Sequence, residues 1–163
     1  MHTGFLLIIS APSGAGKTTV CRRLLARDKS LRYSVSYTTR PPRAGEVSGR
    51  HYHFVREEEF RRRDHRGEFL ESALVHGNLY GTPRRFILEQ VRAGRVVLGD
   101  IDVQGAASIK RLMPEAVTVF LLPPSWARLA DRLRRRDGAD DSVARRLANA
   151  RMEMSRAREY RYW

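Results

Sequence analysis

Apolar residues in this chain fall into short clusters divided by polar, glycine- and proline-containing breaks, and the period of each cluster names an element. Phe5-Leu6-Leu7-Ile8-Ile9 is a continuous apolar run with the length and composition of a buried strand. After a glycine-rich break, apolar residues return at helical spacing in Val20-Cys21-Arg22-Arg23-Leu24-Leu25, predicting a helix over roughly Lys17–Ala26. Tyr33–Tyr37 alternates in character and reads as one short strand, and Tyr52–Val55 as another. Between them, Pro41-Pro42 excludes both regular helix and a central strand. The charged stretch Glu57–Arg66 predicts a solvated helix with Phe60 turned inward. Phe69–Ala73 and Asn78–Tyr80 predict strands around a turn at His76-Gly77.

Beyond Pro83 the elements alternate more plainly. Phe86–Ala93 is helical with Gly94 as its C-terminal stop, and Val96–Asp100 is a buried strand. Ala106–Met113 is helical up to Pro114, and Val117–Leu122 is an apolar strand closed by Pro123-Pro124. Ser125 caps a helix from Trp126 to about Arg135, Asp137–Asp141 interrupts it, and Ser142–Glu159 forms the last helix. Strands alternating with helices predict an α/β fold with a parallel sheet, and the short strands from Tyr33 to Tyr80 read as an inserted lobe. In such sheets ligands sit at the carboxyl ends of the strands, where the glycine-rich loop, Asp100/Asp102 and Pro123-Pro124 would meet.

Composition narrows the picture in three ways. A chain of 163 residues, 42% hydrophobic, has the core of one domain, and no apolar run approaches a membrane span. Cys21 is the only cysteine, which excludes an intramolecular disulfide. With no secretory pattern at the N-terminus, a cytoplasmic location is the expectation. The formal charge of +13 raises nucleic-acid binding. The basic residues are dispersed, however, and all but Lys17, Lys29 and Lys110 are arginines, whose planar fork also suits a phosphate-handling enzyme. No specific nucleic-acid partner is expected.

The break after the first strand carries the chemistry. Ala11-Pro12-Ser13-Gly14-Ala15-Gly16-Lys17-Thr18-Thr19 lies between strand and helix, the context a phosphate-binding loop requires. Backbone N–H groups converge there on phosphate oxygens, and the helix N-terminus adds partial positive charge. Lys17 reaches the β- and γ-phosphates of a nucleotide, and the Thr18 hydroxyl is a ligand for Mg²⁺. Ala11 stands where the general pattern has glycine.

Further segments resemble one family. Ser36-x-Thr38-Thr39-Arg40-x-Pro42-Arg43-x-Gly45-Glu46, Tyr52, Phe69-Leu70-Glu71, Gly77-Asn78-x-Tyr80-Gly81-Thr82 and Asp100-Ile101-Asp102-x-Gln104-Gly105 are similar in order and spacing to guanylate kinases, from Leu6 to about Tyr162. Ala11 is compatible with bacterial members. The resemblance implies a P-loop nucleoside monophosphate kinase fold. Its core would comprise residues 1–32 and 84–163, with a lid at about 127–150, and a GMP-binding lobe at 33–83. It implies phosphoryl transfer from ATP to GMP with Mg²⁺, those nucleotides as partners, and a monomer or weak homo-oligomer. Lys17 and residues 11–19 would hold ATP, with Thr18 on the metal and Asp100 holding the metal or its water. Arg40, Arg43, Tyr52 and Tyr80 would grip the GMP phosphate, and Ser36, Glu71, Thr82 and Asp102 would read guanine. Arg132, Arg136 and Arg146 resemble lid arginines that close over the phosphates. Lys17, Arg40, Asp100, Arg136 and Arg146 form the implied catalytic set.

The family also contains non-catalytic binding modules, which generally lose the phosphate loop that is intact here. A kinase for another phosphorylated acceptor is a nearer alternative, which the Thr-Thr-Arg-Pro-x-Arg segment with Glu71 and Asp102 argues against. The family's pattern continues past Tyr160-Arg161-Tyr162-Trp163 with a strand, an Asn-Asp-Asp type segment and a helix. The resemblance thus implies a fragment or truncated form with weakened adenine binding and stability, and with Val117–Leu122 as an uncovered edge. His51-x-His53 reads as ordinary strand residues, Cys21, Phe120 and Trp126 as core, and Glu57–Arg63 as a salt-bridged helix face.

Overall fold

The computed structural model describes residues 4–75, 77–137 and 141–163; His76 and residues 138–140 lie outside it, as do the side chains of residues 136, 137, 141 and 142. Among the described residues, four parallel strands form the central sheet: β1 (Leu6–Ser10), β2 (Arg32–Ser34), β7 (Val97–Asp100) and β8 (Val117–Phe120), in the order β2-β7-β1-β8. The unbroken apolar character of β1 follows from this central position. Successive side chains alternate faces, so Leu6 and Ile8 enter one core, while Leu7 and Ile9 pack with Cys21, Leu24 and Leu25 on the other side. The first core is closed by α3 (Arg84–Arg92) and α4 (Val103–Leu112), the second by α1 (Lys17–Arg27).

A second sheet is built from β3 (Tyr37–Thr38), β4 (His53–Phe54), β5 (Phe69–Val75) and β6 (Asn78–Pro83), in the order β4-β3-β6-β5. The helix α2 (Glu57–His65) packs on it, burying Phe60 with its ring 4.7 Å from that of Phe69. Arg61–Glu57 and Arg63–Glu59 ion pairs at i,i+4 line its outer surface, as the charge pattern predicts. The strand expected over Tyr33–Tyr37 is instead two strands in two sheets. Arg32–Ser34 pairs with β7, and after Val35 and Ser36 the chain enters the second sheet at Tyr37. Alternation alone does not reveal that hydrogen-bond partners change part-way along a run.

The helices α5 (Trp126–Asp137) and α6 (Asp141–Ser155) form a hairpin with its own small core of Leu129, Leu133, Val143 and Ala150. The Ser125 hydroxyl accepts from Arg128 N–H at 3.2 Å, the cap its position predicts. The last helix is shorter than expected. It ends at Ser155 and is followed by a 3₁₀ turn, Ala157–Glu159. The outer edge of β8, expected to be uncovered, is partly paired: Tyr162 N–H donates to Thr118 O at 3.1 Å and Phe120 N–H to Tyr162 O at 2.8 Å. Tyr160 anchors this segment by packing edge-on against the Phe120 ring at 5.1 Å. No described helix is long and apolar enough to cross a membrane.

Candidate active site

The carboxyl ends of β1 and β7 and the near faces of the second sheet enclose two adjoining cavities of about 450 and 560 Å³. Residues 11–16 leave β1 and turn into α1 at Gly16, whose φ of 98° together with 85° at Gly14 lies in the left-handed region where a side chain is strained. Gly16 occupies the N-cap with no side-chain cap, so no side chain there takes up the first amides of α1. Lys17, Thr18 and Thr19 follow on the first turn and line the smaller cavity.

Lys17 is held by Asp100, with Nζ 2.7 Å from Oδ1 and 3.4 Å from the Ile101 carbonyl. Burial alone would lower the ammonium's pKa, but the Asp100 carboxylate outweighs it and drives the value up, so Lys17 stays charged at neutral pH. Thr18 Oγ1 lies 3.5 Å from Asp100 Oδ2, bringing a hydroxyl and a carboxylate to one point at the mouth of the loop. Such hard oxygens suit Mg²⁺, which takes one or two protein ligands and completes its shell with phosphate and water.

The opposite wall is anionic and polar. Glu71, on β5, is buried, and its Oε1 accepts from the Thr82 hydroxyl on β6 at 2.5 Å. Burial pushes the Glu71 carboxyl up to about 7; the Thr82 hydrogen bond opposes this, and Asp102 and Asp64 add to it. Glu71 Oε2 has no partner among the described residues. It faces Gly105, where an added Cβ would approach it to 2.8 Å. Ser36 and Asp102 line the same cavity. Asp102 also caps α4, its Oδ1 accepting from Gln104 N–H at 2.7 Å and Gly105 N–H at 3.2 Å. That cap starts α4 at Val103, three residues before the position that periodicity predicts.

Arg40, Arg43, Tyr52 and Tyr80 come together where the two cavities join. Arg40 is nearly buried, its guanidinium 5.5 Å from the centre of the Tyr52 ring. Its Nη2 donates to both Glu46 oxygens at 3.0 Å, and Nη1 donates to Pro41 O at 2.7 Å. Glu46 also accepts from the Arg43 backbone N–H at 2.7 Å, so one carboxylate orients the Arg40 guanidinium and pins the turn that carries Arg43. Glu46 stands in the quoted motif, yet its role there became visible only with this geometry. Burial and the nearby Asp100 charge push the Tyr52 phenol up to about 12, keeping it a hydrogen-bond donor at neutral pH.

The helical hairpin reaches the loop through Arg132, whose Nη1 donates to Ala15 O at 3.0 Å. Arg146 is half-buried on α6 and does not line either cavity; the side chain of Arg136 lies outside the described residues. Glu153, also on α6, lines the loop cavity, and no sequence signal marked it beyond its place two helical turns after Arg146. Among the described residues no cluster of three or more His, Cys, Asp or Glu gathers as a metal cage.

A protein-family model described as guanylate kinase matches residues 4–163. The chain belongs to the guanylate kinase family. It is 52% identical over 161 residues to a guanylate kinase of Dechloromonas aromatica, covering 98% of this chain and 79% of that protein. A guanylate kinase of Paraburkholderia xenovorans is 49% identical, covering 99% of this chain and 72% of that one. The crystal structure of guanylate kinase from Anaplasma phagocytophilum superposes with a TM-score of 0.82 at 38% identity, over 99% of this chain and 76% of that one. The guanylate kinase fold accounts for the two sheets, and the loop and the Glu71–Thr82 pair face each other across its cleft.

Proposed function

We infer that the chain is an ATP:GMP phosphotransferase that converts ATP and GMP to ADP and GDP. One observation carries the division of labour: the phosphate loop and the buried Glu71–Thr82 pair line a single cavity of about 450 Å³. Two nucleotides bound at its two ends would meet at their phosphates.

The loop amides and the Lys17 ammonium hold the ATP phosphates, Asp100 keeping that ammonium charged and aimed. Thr18 and Asp100 supply oxygens for Mg²⁺, which when bound neutralises charge on the transferring group. Arg40, oriented by Glu46, and Arg43 take the GMP phosphate together with the Tyr52 and Tyr80 hydroxyls. Glu71 accepts from guanine N1–H and the 2-amino group, which adenine does not present in that arrangement. Ser36, Thr82 and Asp102 complete the base site. An oxygen of the GMP phosphate attacks the γ-phosphorus, the bond to the β–γ bridging oxygen breaks, and ADP leaves. The acceptor oxygen is already anionic, so positioning and charge neutralisation do most of the work. Closing of the lid, with Arg132, Arg136 and Arg146, excludes water that would otherwise take the phosphoryl group.

A coupled assay of ADP release with GMP, AMP, dGMP or no acceptor tests this reading. Turnover dependent on GMP and lowered about 10³-fold or more by Lys17→Ala is the expected result. A folded sample without GMP-dependent turnover would favour a binding module.

A further inference from the structure

β1 ends in a hydroxyl where its pattern would place an apolar side chain. Ser10 follows Leu6 and Ile8 on the strand face turned to α3 and α4, and it is 0% exposed. A hydroxyl buried there without a partner is costly, and this one has a partner: Oγ donates to Ile101 O at 2.7 Å. The bond falls where two neighbouring strands part. β1 and β7 run in register through Ile9 and Asp100, and Ile101 N–H still donates to Ile9 O at 3.2 Å. One residue on, β1 turns into the phosphate loop and β7 turns towards Asp102. The Ser10 backbone faces β8, its carbonyl accepting from Leu121 N–H at 2.8 Å, so it is the side chain that reaches across to Ile101.

A carbonyl oxygen has two lone pairs, and the second neighbour of Ile101 O is the Lys17 ammonium at 3.4 Å. Nζ therefore sits between that carbonyl and Asp100 Oδ1, which is 2.7 Å away. Asp100 supplies the opposing charge, and the carbonyl supplies a second point that fixes direction. A carbonyl turns only with its whole peptide plane, so whatever anchors the Ile101–Asp102 peptide also sets where the ammonium is steered.

We propose that Ser10 is a positioning residue for ATP: by holding the Ile101 carbonyl, it keeps the Lys17 ammonium aimed at the phosphates. The proposal rests on the reading of residues 11–19 as the ATP site. Without the hydroxyl the carbonyl loses its nearer partner, and its peptide is freer to turn away from Nζ, leaving the ammonium to Asp100 alone. The guanine side is insulated from this change, because Asp102 is fixed by its own bonds from Gln104 N–H and Gly105 N–H.

Calorimetric titration with ATP and with GMP on Ser10→Ala, Ser10→Thr, Lys17→Ala and the Ser10→Ala/Lys17→Ala double variant tests it, with melting midpoints alongside. Ser10→Ala should raise Kd for ATP about tenfold and leave Kd for GMP within about twofold. Ser10→Thr keeps the hydroxyl and should return Kd for ATP to within about threefold of the parent. In the Lys17→Ala background the same Ser10→Ala change should alter Kd for ATP by less than about twofold, because the group it steers is gone. A Kd for ATP within about twofold of the parent in Ser10→Ala overturns the proposal, and so does an undiminished effect in the Lys17→Ala background. Parallel losses of ATP and GMP affinity with a lowered melting midpoint, the signature of a purely structural residue, overturn it too. So does a Ser10→Thr variant with the parent's midpoint and the ATP affinity of Ser10→Ala. If Lys17→Ala keeps full ATP affinity and turnover, the ATP-site reading itself fails and takes the proposal with it. If Lys17→Ala is impaired while Ser10→Ala is normal, the proposal alone falls.

Discussion

Glu71 is a carboxylate placed where its charge is penalised, and its titration should be visible in both recognition and stability. Its pKa of about 7 lies above the ordinary 4.5, because burial outweighs the Thr82 hydrogen bond. Guanine donors favour the ionised form, so GMP binding expels the proton, and KM for GMP should rise as pH falls below about 7 while KM for ATP stays flat. For stability the sign is opposite to that of a salt-bridged carboxylate. Between pH 4.5 and about 7 the folded protein keeps a proton that the unfolded chain gives up, so stability falls as pH rises through that window. Glu71→Gln removes the charge without changing the shape. It should raise the melting midpoint at pH 8 and weaken GMP about 100-fold; an unchanged midpoint would show that burial does not strain this group. Glu71 itself was legible in its motif, but its raised pKa was not, because desolvation comes from neighbours far along the chain.

The first turn of α4 shows an element whose sequence serves two needs at once. Asp102 is a strong N-cap, and Gly105 sits three residues later in a helix where alanine would be favoured by about 1 kcal/mol. Glycine is retained where a Cβ would approach both Glu71 Oε2 and Ile101 Cγ2 to 2.8 Å. Gly105→Ala should therefore raise KM for GMP about tenfold or more with little change in KM for ATP, measured in the same assay. Equal effects on both substrates would mean that the clash is absorbed by the core at Ile101 alone. Helix existence was legible here from periodicity, whereas the start at Val103 was not. Asp102 was read for its chemistry, and the same carboxylate also ends the loop. The two-sheet division of residues 32–38 escaped for a related reason, since pairing partners are not written in a strand's own alternation.

At the scale of the whole molecule, apolar clusters on the two faces of the central sheet and inside the helical hairpin surround one cleft, with Leu70 of the second sheet joining the first of them. The second sheet leans on Phe60, 1% exposed, and Phe60→Ala should cost about 3–5 kcal/mol. Hydrogen exchange should then show β3–β6 losing protection before β1 and β7; uniform loss would indicate a single cooperative unit. What the sequence by itself determined is local: the loop between strand and helix, the buried central strands, the caps and breaks, and the residue types of the nucleotide site. These depend on periodicity and turn chemistry within a few residues. Tertiary structure alone decided how distant groups meet: Asp100 on Lys17, Glu46 on Arg40, Arg132 on the loop, and Tyr162 on the edge of β8. Charge, burial and hydrogen bonding act through space, so the same residues acquire their strength as donors, acceptors and ions only once the fold has brought their partners within reach.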